Sequence, residues 1–406
     1  MKGAPRLGPI FLTVFIDLLG FGLVLPFLAK EARDTFGVTA FTATLLGSVY
    51  SLMQFLFVPV WGRVSDRLGR RPVLLWSIAG TALSMAGLGA SLAWGGSLAW
   101  LFAARIFGGI ATANLGTASA YIADVTAPSE RARGMGLIGV AFGLGFILGP
   151  GVGGALARIP VGGHHGVVPC FVAAGLSAAN LVWVYLGVPE SLPADKRAAR
   201  AVRSLAPLNP AAMREAFDLP GVALAMAVNF LIVLSFTNLD QTFTFFCGDQ
   251  FGIDERGTGY VLAFIGVVAA AVQGGLVRPL AKRFDEALLI RAGVAIQALA
   301  FAGLTLAGTL GSRALLFASG GLLALGNGLT QPSTSALISK RAPADRQGST
   351  LGTNQSFASL ARTFGPAAGG WLYTNVSARA PYGVASAGML VALALALGLH
   401  KSSDRR

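Results

Sequence analysis

Charge is scarce in this chain: 12% of its 406 residues are Asp, Glu, Lys or Arg, against about 25% in an ordinary soluble domain. That shortage excludes a water-soluble enzyme of two or three domains, a disordered tail and a coiled coil. Cysteine is nearly absent too, and the two present, Cys170 and Cys247, form no CxxC pair. A disulfide framework and a structural zinc site are therefore excluded; one bridge between them is conceivable, and two unpaired apolar thiols fit better. Histidine is limited to the adjacent His164 and His165 and to His400, a poor metal set with no acid nearby in sequence. No phosphate-binding loop, GxSxG or HExxH pattern occurs, so ATP drive and hydrolysis in the membrane lack their residues and no cofactor is implied. The net charge of +13 comes without a basic run interleaved with solvent-facing aromatics, which argues against nucleic acid.

What the chain has instead is apolar length. Hydrophobic residues make up 54% of it, the mean hydropathy is +0.66, and a membrane span needs about 20 such residues. Apolar runs between turn signals predict an all-α polytopic membrane protein with twelve spans. They lie at about 8–30, 41–61, 72–93, 98–122, 134–157 and 167–188, then at 220–246, 257–280, 287–310, 313–338, 348–372 and 381–400. The polar stretch 189–219, with Pro189, Pro193, Pro207, Pro210 and, at its edge, Pro220, reads as a linker between residues 1–188 and 220–406. Of the 31 Lys and Arg, 23 fall on the side of the N-terminus and six (Lys30, Arg33, Arg158, Arg256, Arg313, Arg379) on the other. Basic loops stay inside, so both termini and the linker are expected in the cytoplasm. Met1–Gly8 is basic and carries no small-residue cleavage site, so the first span reads as a retained helix. Short loops without a targeting extension point to a bacterial inner membrane.

The halves repeat. Asp34-Thr35-Phe36-Gly37-Val38 returns as Asp249-Gln250-Phe251-Gly252-Ile253, and Ala127-Pro128-Ser129-Glu130-Arg131 as Ala342-Pro343-Ala344-Asp345-Arg346, both at an offset of 215. Gly149-Pro150-Gly151-Val152-Gly153-Gly154 returns as Gly365-Pro366-Ala367-Ala368-Gly369-Gly370 at 216. A tandem of six-helix units in a membrane usually builds a transporter with its site at the midplane between the repeats, which implies a small-molecule substrate.

Between spans 2 and 3 runs Gly62-Arg63-Val64-Ser65-Asp66-Arg67-Leu68-Gly69-Arg70-Arg71-Pro72. It resembles the signature cytoplasmic loop of the major facilitator superfamily. The resemblance implies two pseudo-symmetric six-helix bundles, a close helix approach at Gly62, a conformational latch in which Asp66 meets the N-terminal end of helix 11, and a pairing of Arg70 with Asp124; Arg67 and Gly69 belong to the same loop. The second copy is degenerate, with Arg278, Lys282 and Asp285 at the places of Gly62, Asp66 and Gly69. Span 5 carries Gly145, Gly149, Pro150, Gly153 and Gly154, a small-residue packing face that resembles the superfamily's antiporter motif. Asp17-x-x-Gly20-x-Gly22-x-x-Leu25-Pro26, Tyr121-Ile122-Ala123-Asp124 and Glu130-Arg131-Ala132-Arg133 are similar to the tetracycline efflux antiporters of the twelve-helix drug:proton family. That likeness implies proton-coupled export of small amphipathic compounds by alternating access, without enzymatic activity, by a monomer. An organic-anion or metabolite uniporter or symporter on the same fold is the alternative, and a non-transporting membrane receptor a second. The resemblance weakens in span 3, which has no acid, in span 9, which offers only Gln297 and Arg291, and at Arg362, a cation where those exporters have a small polar residue.

Ionised side chains inside spans cost about 2.5–3.5 kcal/mol each and mark function. Asp17, Arg105, Asp240 and Arg362 are such residues. Asp17 is the expected proton carrier with Arg105 as its switch partner and Asp240 as a second coupling acid. Polar stripes at helical spacing line an expected substrate cavity: Tyr50 and Gln54; Thr112; Thr237, Asp240, Gln241 and Thr244; Asn327, Gln331 and Ser335; Gln355, Ser359 and Arg362. Phe243, Phe245, Phe246 and Phe357 are candidates for its apolar walls.

Overall fold

The structure, a computed structural model, describes residues 7–126, 131–157, 159–193, 214, 217–343 and 347–399. Outside that set fall most of the linker, with Lys196, Arg197, Arg200 and Arg203, most of the Ala127–Arg131 and Ala342–Arg346 copies, Arg158 and His400. The side chains of Leu25, Pro26, Arg131, Ala132, Arg133 and Arg278 also lie outside it.

Among the described residues the chain is helical, without a strand: α1 (Leu7–Phe36), α2 (Ala40–Leu68), α3 (Arg70–Ala93), α4 (Leu98–Ala111), α5 (Leu115–Val125), α6 (Arg131–Leu156) and α7 (Val167–Gly187) come first. They are followed by α8 (Val222–Phe251), α9 (Glu255–Ala271), a π-helical turn (Val272–Leu276), α10 (Val277–Arg283), α11 (Glu286–Leu310), α12 (Arg313–Arg341), α13 (Gln347–Asn375) and α14 (Ala380–Leu397). With α4 and α5 as one crossing, and α9 to α10 as another, the described helices supply the twelve crossings expected from the sequence. Nine of the helices, among the described residues, are long and apolar enough to cross a membrane.

Three differences from the sequence reading have local causes. Span 4 is broken at 112–114, where Thr112 closes α4 with its N–H and its hydroxyl both meeting Gly108 O at 2.8 Å. Span 8 carries an extra residue per turn at Val272-Gln273-Gly274-Gly275-Leu276, where paired glycines resist helical packing least. The segment expected as a loop after span 2 is helical through Leu68. Only Gly69 breaks it, at φ 107°, a conformation that a Cβ would strain. No neighbouring atom lies within 4 Å of a Cβ at Gly62; the close backbone approaches within the first unit are made by other glycines.

Several of those glycines are on α1 and α6. A Cβ on Gly149 would lie 2.6 Å from Gly22 Cα, one on Gly145 2.7 Å from Leu18 Cβ, and one on Gly153 would strike Leu23 O. Gly154 is buried beside them, and Pro150 lies inside the same helix. The two backbones are in contact because Gly22 on α1 meets Gly145 and Gly149 on α6 with no side chain between them. Gly149→Leu is expected to destabilise the fold by about 1–3 kcal/mol through overpacking, read as earlier unfolding in mixed micelles of increasing sodium dodecyl sulfate.

The chain forms two compact units, Met1–Phe36 with Val49–Leu208, and Gly37–Ser48 with Asn209–Arg406. In the first, α1 packs on α6 and α7, and α3 on α4 and α7; in the second, α8 packs on α13 and α14, and α11 on α12 and α14. The same pairings recur, which is the structural form of the sequence repeat. The first turns of α2 sit in the second unit because Phe41 N donates to Thr374 Oγ1 at 3.0 Å and Phe41 Cα and Thr44 press on Gly370. In the core of the first unit, Ile10, Val14 and Leu18 meet Leu74, Ile78, Tyr121 and Ile122.

Candidate functional site

At the end of the first unit where α2 gives way to α3, one arginine organises the turn. Arg70 donates from Nε to Asp124 Oδ2 at 3.0 Å, from one terminal nitrogen to Ser65 Oγ at 2.5 Å and from the other to Asp66 Oδ1 at 2.7 Å. Its side chain is 3% exposed, against 21% for Asp66 and 13% for Asp124. Arg67 and Gly69 flank this cluster. Sequence reasoning missed Glu190. Gly69 supplies no side-chain cap to α3, and Glu190 takes that role from 120 residues away. Its Oε1 accepts from Arg70 N at 2.8 Å and its Oε2 from Arg71 N at 3.1 Å, placing a negative charge on the positive end of the helix.

Deeper in the same unit, Asp17 on α1 is held by neutral amides. Its Oδ2 accepts from Asn114 Nδ2 at 3.0 Å, and its Oδ1 from Asn180 Nδ2 at 3.3 Å. The break in span 4 delivers Asn114 to this place. Asn114 and Asn180 were visible in sequence as amides in apolar runs, yet nothing in their spacing tied them to Asp17.

Arg105, expected as the switch partner of Asp17, is not among the groups that hydrogen-bond or pair with it here. The guanidinium is 1% exposed and lies 4.0 Å from the Tyr50 ring centroid and 5.8 Å from that of Phe21; these two rings stack at 5.1 Å. A desolvated cation over two aromatic faces is stabilised by their quadrupoles. Gln54 Nε2 bridges Tyr50 Oη at 3.4 Å and Thr112 Oγ1 at 3.1 Å, so Tyr50, Gln54, Thr112 and Arg105 form one polar-aromatic cluster.

In the second unit, Arg362 on α13 donates to Ser359 Oγ at 2.9 Å and lies within electrostatic reach of Asp240 on α8. The rest of the stripes divide. Thr237 is buried with its hydroxyl turned to Val233 O at 2.8 Å, and Thr244 is buried. Gln241 is buried with its Cδ 3.0 Å from where Gly47 would carry a Cβ. Asn327 and Gln355 are half-buried, and Gln331 and Ser335 are exposed. The phenylalanines of α8 do not line an open wall. Phe246 packs at 4.4 Å on Tyr382 and Phe245 at 5.7 Å on Tyr373, and Phe243 is 1% exposed. Phe357 meets Phe217 edge-on at 5.3 Å.

Cys170 and Cys247 are free and buried. His164, expected to lack an acid, has one, because α1 runs on past its span: Glu31 Oε1 lies 3.0 Å from its Nδ1. Glu31 Oε2 accepts from His165 N and Gly166 N, each at 3.2 Å. Among the described residues no cluster of His, Cys, Asp or Glu is large enough to hold a metal ion.

Comparisons with known proteins agree with this architecture. The family model described as Major Facilitator Superfamily matches residues 10–362 and 310–405. The tetracycline resistance protein, class C, of Escherichia coli is 34% identical over 90% of this chain and 89% of its own. Major facilitator superfamily domain-containing protein 10 of Bos taurus is 33% identical over 93% of this chain and 89% of its own. Among solved structures, the human organic anion transporter MFSD10 superposes with a TM-score of 0.74 at 27% identity, covering 96% of this chain and 98% of that one.

Proposed function

Since this chain belongs to the major facilitator superfamily, a family of membrane transporters, we propose that it exports small amphipathic compounds by alternating access, driven by exchange for protons. The observation that carries the reading is Asp17, a carboxylate inside a membrane span whose hydrogen-bond partners are two neutral amides. Among the described residues no cation pairs with it, so its charge is balanced by what enters from solution, and the proton is the simplest such species. Asp240 beside Arg362 is a second acid of this kind, with a built-in cation. The glycine contact of α1 with α6 supports the same reading, because it lets the helix that bears Asp17 shift as a rigid body.

Arg105 and Arg362 are cations inside spans, and they favour a substrate with an acidic or zwitterionic group. The similarity to a tetracycline resistance protein and to an organic anion transporter is consistent with such a charge. The same observation favours the second reading, an organic-anion uniporter or symporter on this fold.

Proteoliposomes with an imposed pH gradient separate the two. Accumulation of anionic or zwitterionic compounds against their gradient when the vesicle interior is acid, collapsed by a protonophore, is the expected result. Accumulation only with an alkaline interior, or counterflow indifferent to pH, establishes the second reading, and absence of any flux removes both. Arg362→Gln is expected to weaken binding of the acidic compounds about tenfold, the cost of one charge-assisted hydrogen bond, with little effect on neutral ones.

A further inference from the structure

We propose that the Asp17 pocket also takes an alkali metal cation of the sodium class, which competes there with the proton; this rests on Asp17 being the coupling site. The surroundings are richer in oxygen than a proton site needs. Asn180 on α7 is 0% exposed, donates from Nδ2 both to Asp17 and to Thr13 O at 3.1 Å, and has an Oδ1 with no hydrogen-bond partner. One turn earlier, Ser177 is 1% exposed and its hydroxyl oxygen is likewise unpartnered, facing α1 at 3.9 Å from where Gly20 would carry a Cβ. Thr117, one turn beyond Asn114 on α5, is 0% exposed with an unpartnered Oγ1. Buried polar atoms ordinarily find a partner. One of these oxygens is on a side chain that touches Asp17, and the other two lie one turn from its amide partners on the same helices.

A hard monovalent cation supplies such a partner. Such ions take carboxylate, amide, hydroxyl and carbonyl oxygens, whereas transition metals select imidazole and thiolate, and divalent ions draw on several carboxylates. Asp17 contributes a single negative charge, which one alkali ion neutralises in full. Asn114 and Asn180 can serve both states, because turning an amide end for end exchanges its N–H donors for an oxygen. With the carboxylate free they donate to it, and with a cation beside it they turn oxygen inward. Among the described side chains of the packed elements, no charged group pairs with Asp17. α6 meets α1 here through Gly145 and Gly149. Tyr121 on α5 lies about two helical turns from Asn114 and one from Thr117, Asp124 lies nearly three from Asn114, Cys170 on α7 lies nearly three from Asn180, and Arg105 on α4 is held over Tyr50 and Phe21.

The test is the thermal midpoint of the purified full-length protein in detergent, in lithium, sodium, potassium or choline chloride at equal ionic strength, at pH 8.5 and pH 6. At pH 8.5 a saturating alkali ion is expected to raise the midpoint by about 4 °C or more over choline. The rise shrinks at pH 6 as protons occupy the site, and it disappears in Asp17→Asn. Ser177→Ala, which keeps the carboxylate and changes one oxygen, shifts the half-saturating salt concentration several-fold upward and serves if Asp17→Asn does not fold. Equal midpoints in all four chlorides at pH 8.5 overturn the cation site, as does a salt effect that survives in Asp17→Asn. Proton release on adding tetracycline as a zwitterionic probe or an aromatic carboxylate as an anionic one, measured in choline on the same preparation, separates the two failures. Release without a salt effect leaves proton coupling standing and removes the cation; no release and no salt effect removes both.

Discussion

Asp17→Asn is expected to abolish uphill transport in proteoliposomes while downhill exchange at equal pH stays within a few-fold of wild type. The substitution is nearly isosteric. The remaining side-chain oxygen still accepts from Asn114, and the new amino group can be met by the Asn180 Oδ1 that has no partner now. The helix contacts are untouched and the fold is retained. What is lost is the capacity to carry one charge in one state and none in the other, so the pH gradient has nothing to act on. Asp17→Leu differs. It leaves two buried amides without their acceptor, at about 1–3 kcal/mol each, and is expected to lower both exchange and stability. The accumulation ratio under a pH gradient, set against counterflow without one, distinguishes the two variants. Uphill accumulation by Asp17→Asn transfers the proton-carrying role to Asp240.

The second large effect is structural. Arg70→Ala is expected to cost about 3 kcal/mol, the lower end of what removing one partner from a buried ion pair costs. Asp66 and Asp124 are partly exposed, and water recovers some of the loss. Three donors in one plane disappear from Ser65, Asp66 and Asp124. Arg70→Lys keeps the charge but cannot reach three acceptors from one compact ammonium, and falls between. Unfolding in mixed micelles measures the order; equal stability of Arg70→Ala and wild type rules out this cluster as a structural anchor.

The sequence carried the architecture well because bilayer thickness leaves few options: apolar runs of one length, alternating basic loops and a 215-residue repeat imply twelve helices in two sets. It carried the site less well, for identifiable reasons. Asp17 and Arg105 look like partners on charge alone, yet each has a more local solution, asparagine amides for one and stacked rings for the other. Helical spacing picked out Thr237, Gln241 and Thr244 as one face, but spacing does not say whether a face meets water or another helix. Thr237 and Gln241 pack against glycines, Gly365 and Gly47, which no periodicity marks. Glu31 escaped notice as a neighbour of His164 because 133 residues separate them in sequence.

The carboxylate of Glu190 on the first amides of α3 bears on the order in which the chain is made. Arg70 and Arg71 are synthesised 120 and 119 residues before the group that completes their helix. Until the end of α7 has left the ribosome, the signature turn lacks the acceptor for its first two amides. The finished α2–α3 corner is therefore a product of the whole first unit and not of its first hairpin, and a nascent chain arrested within α6 exposes that corner to proteases that the completed unit excludes.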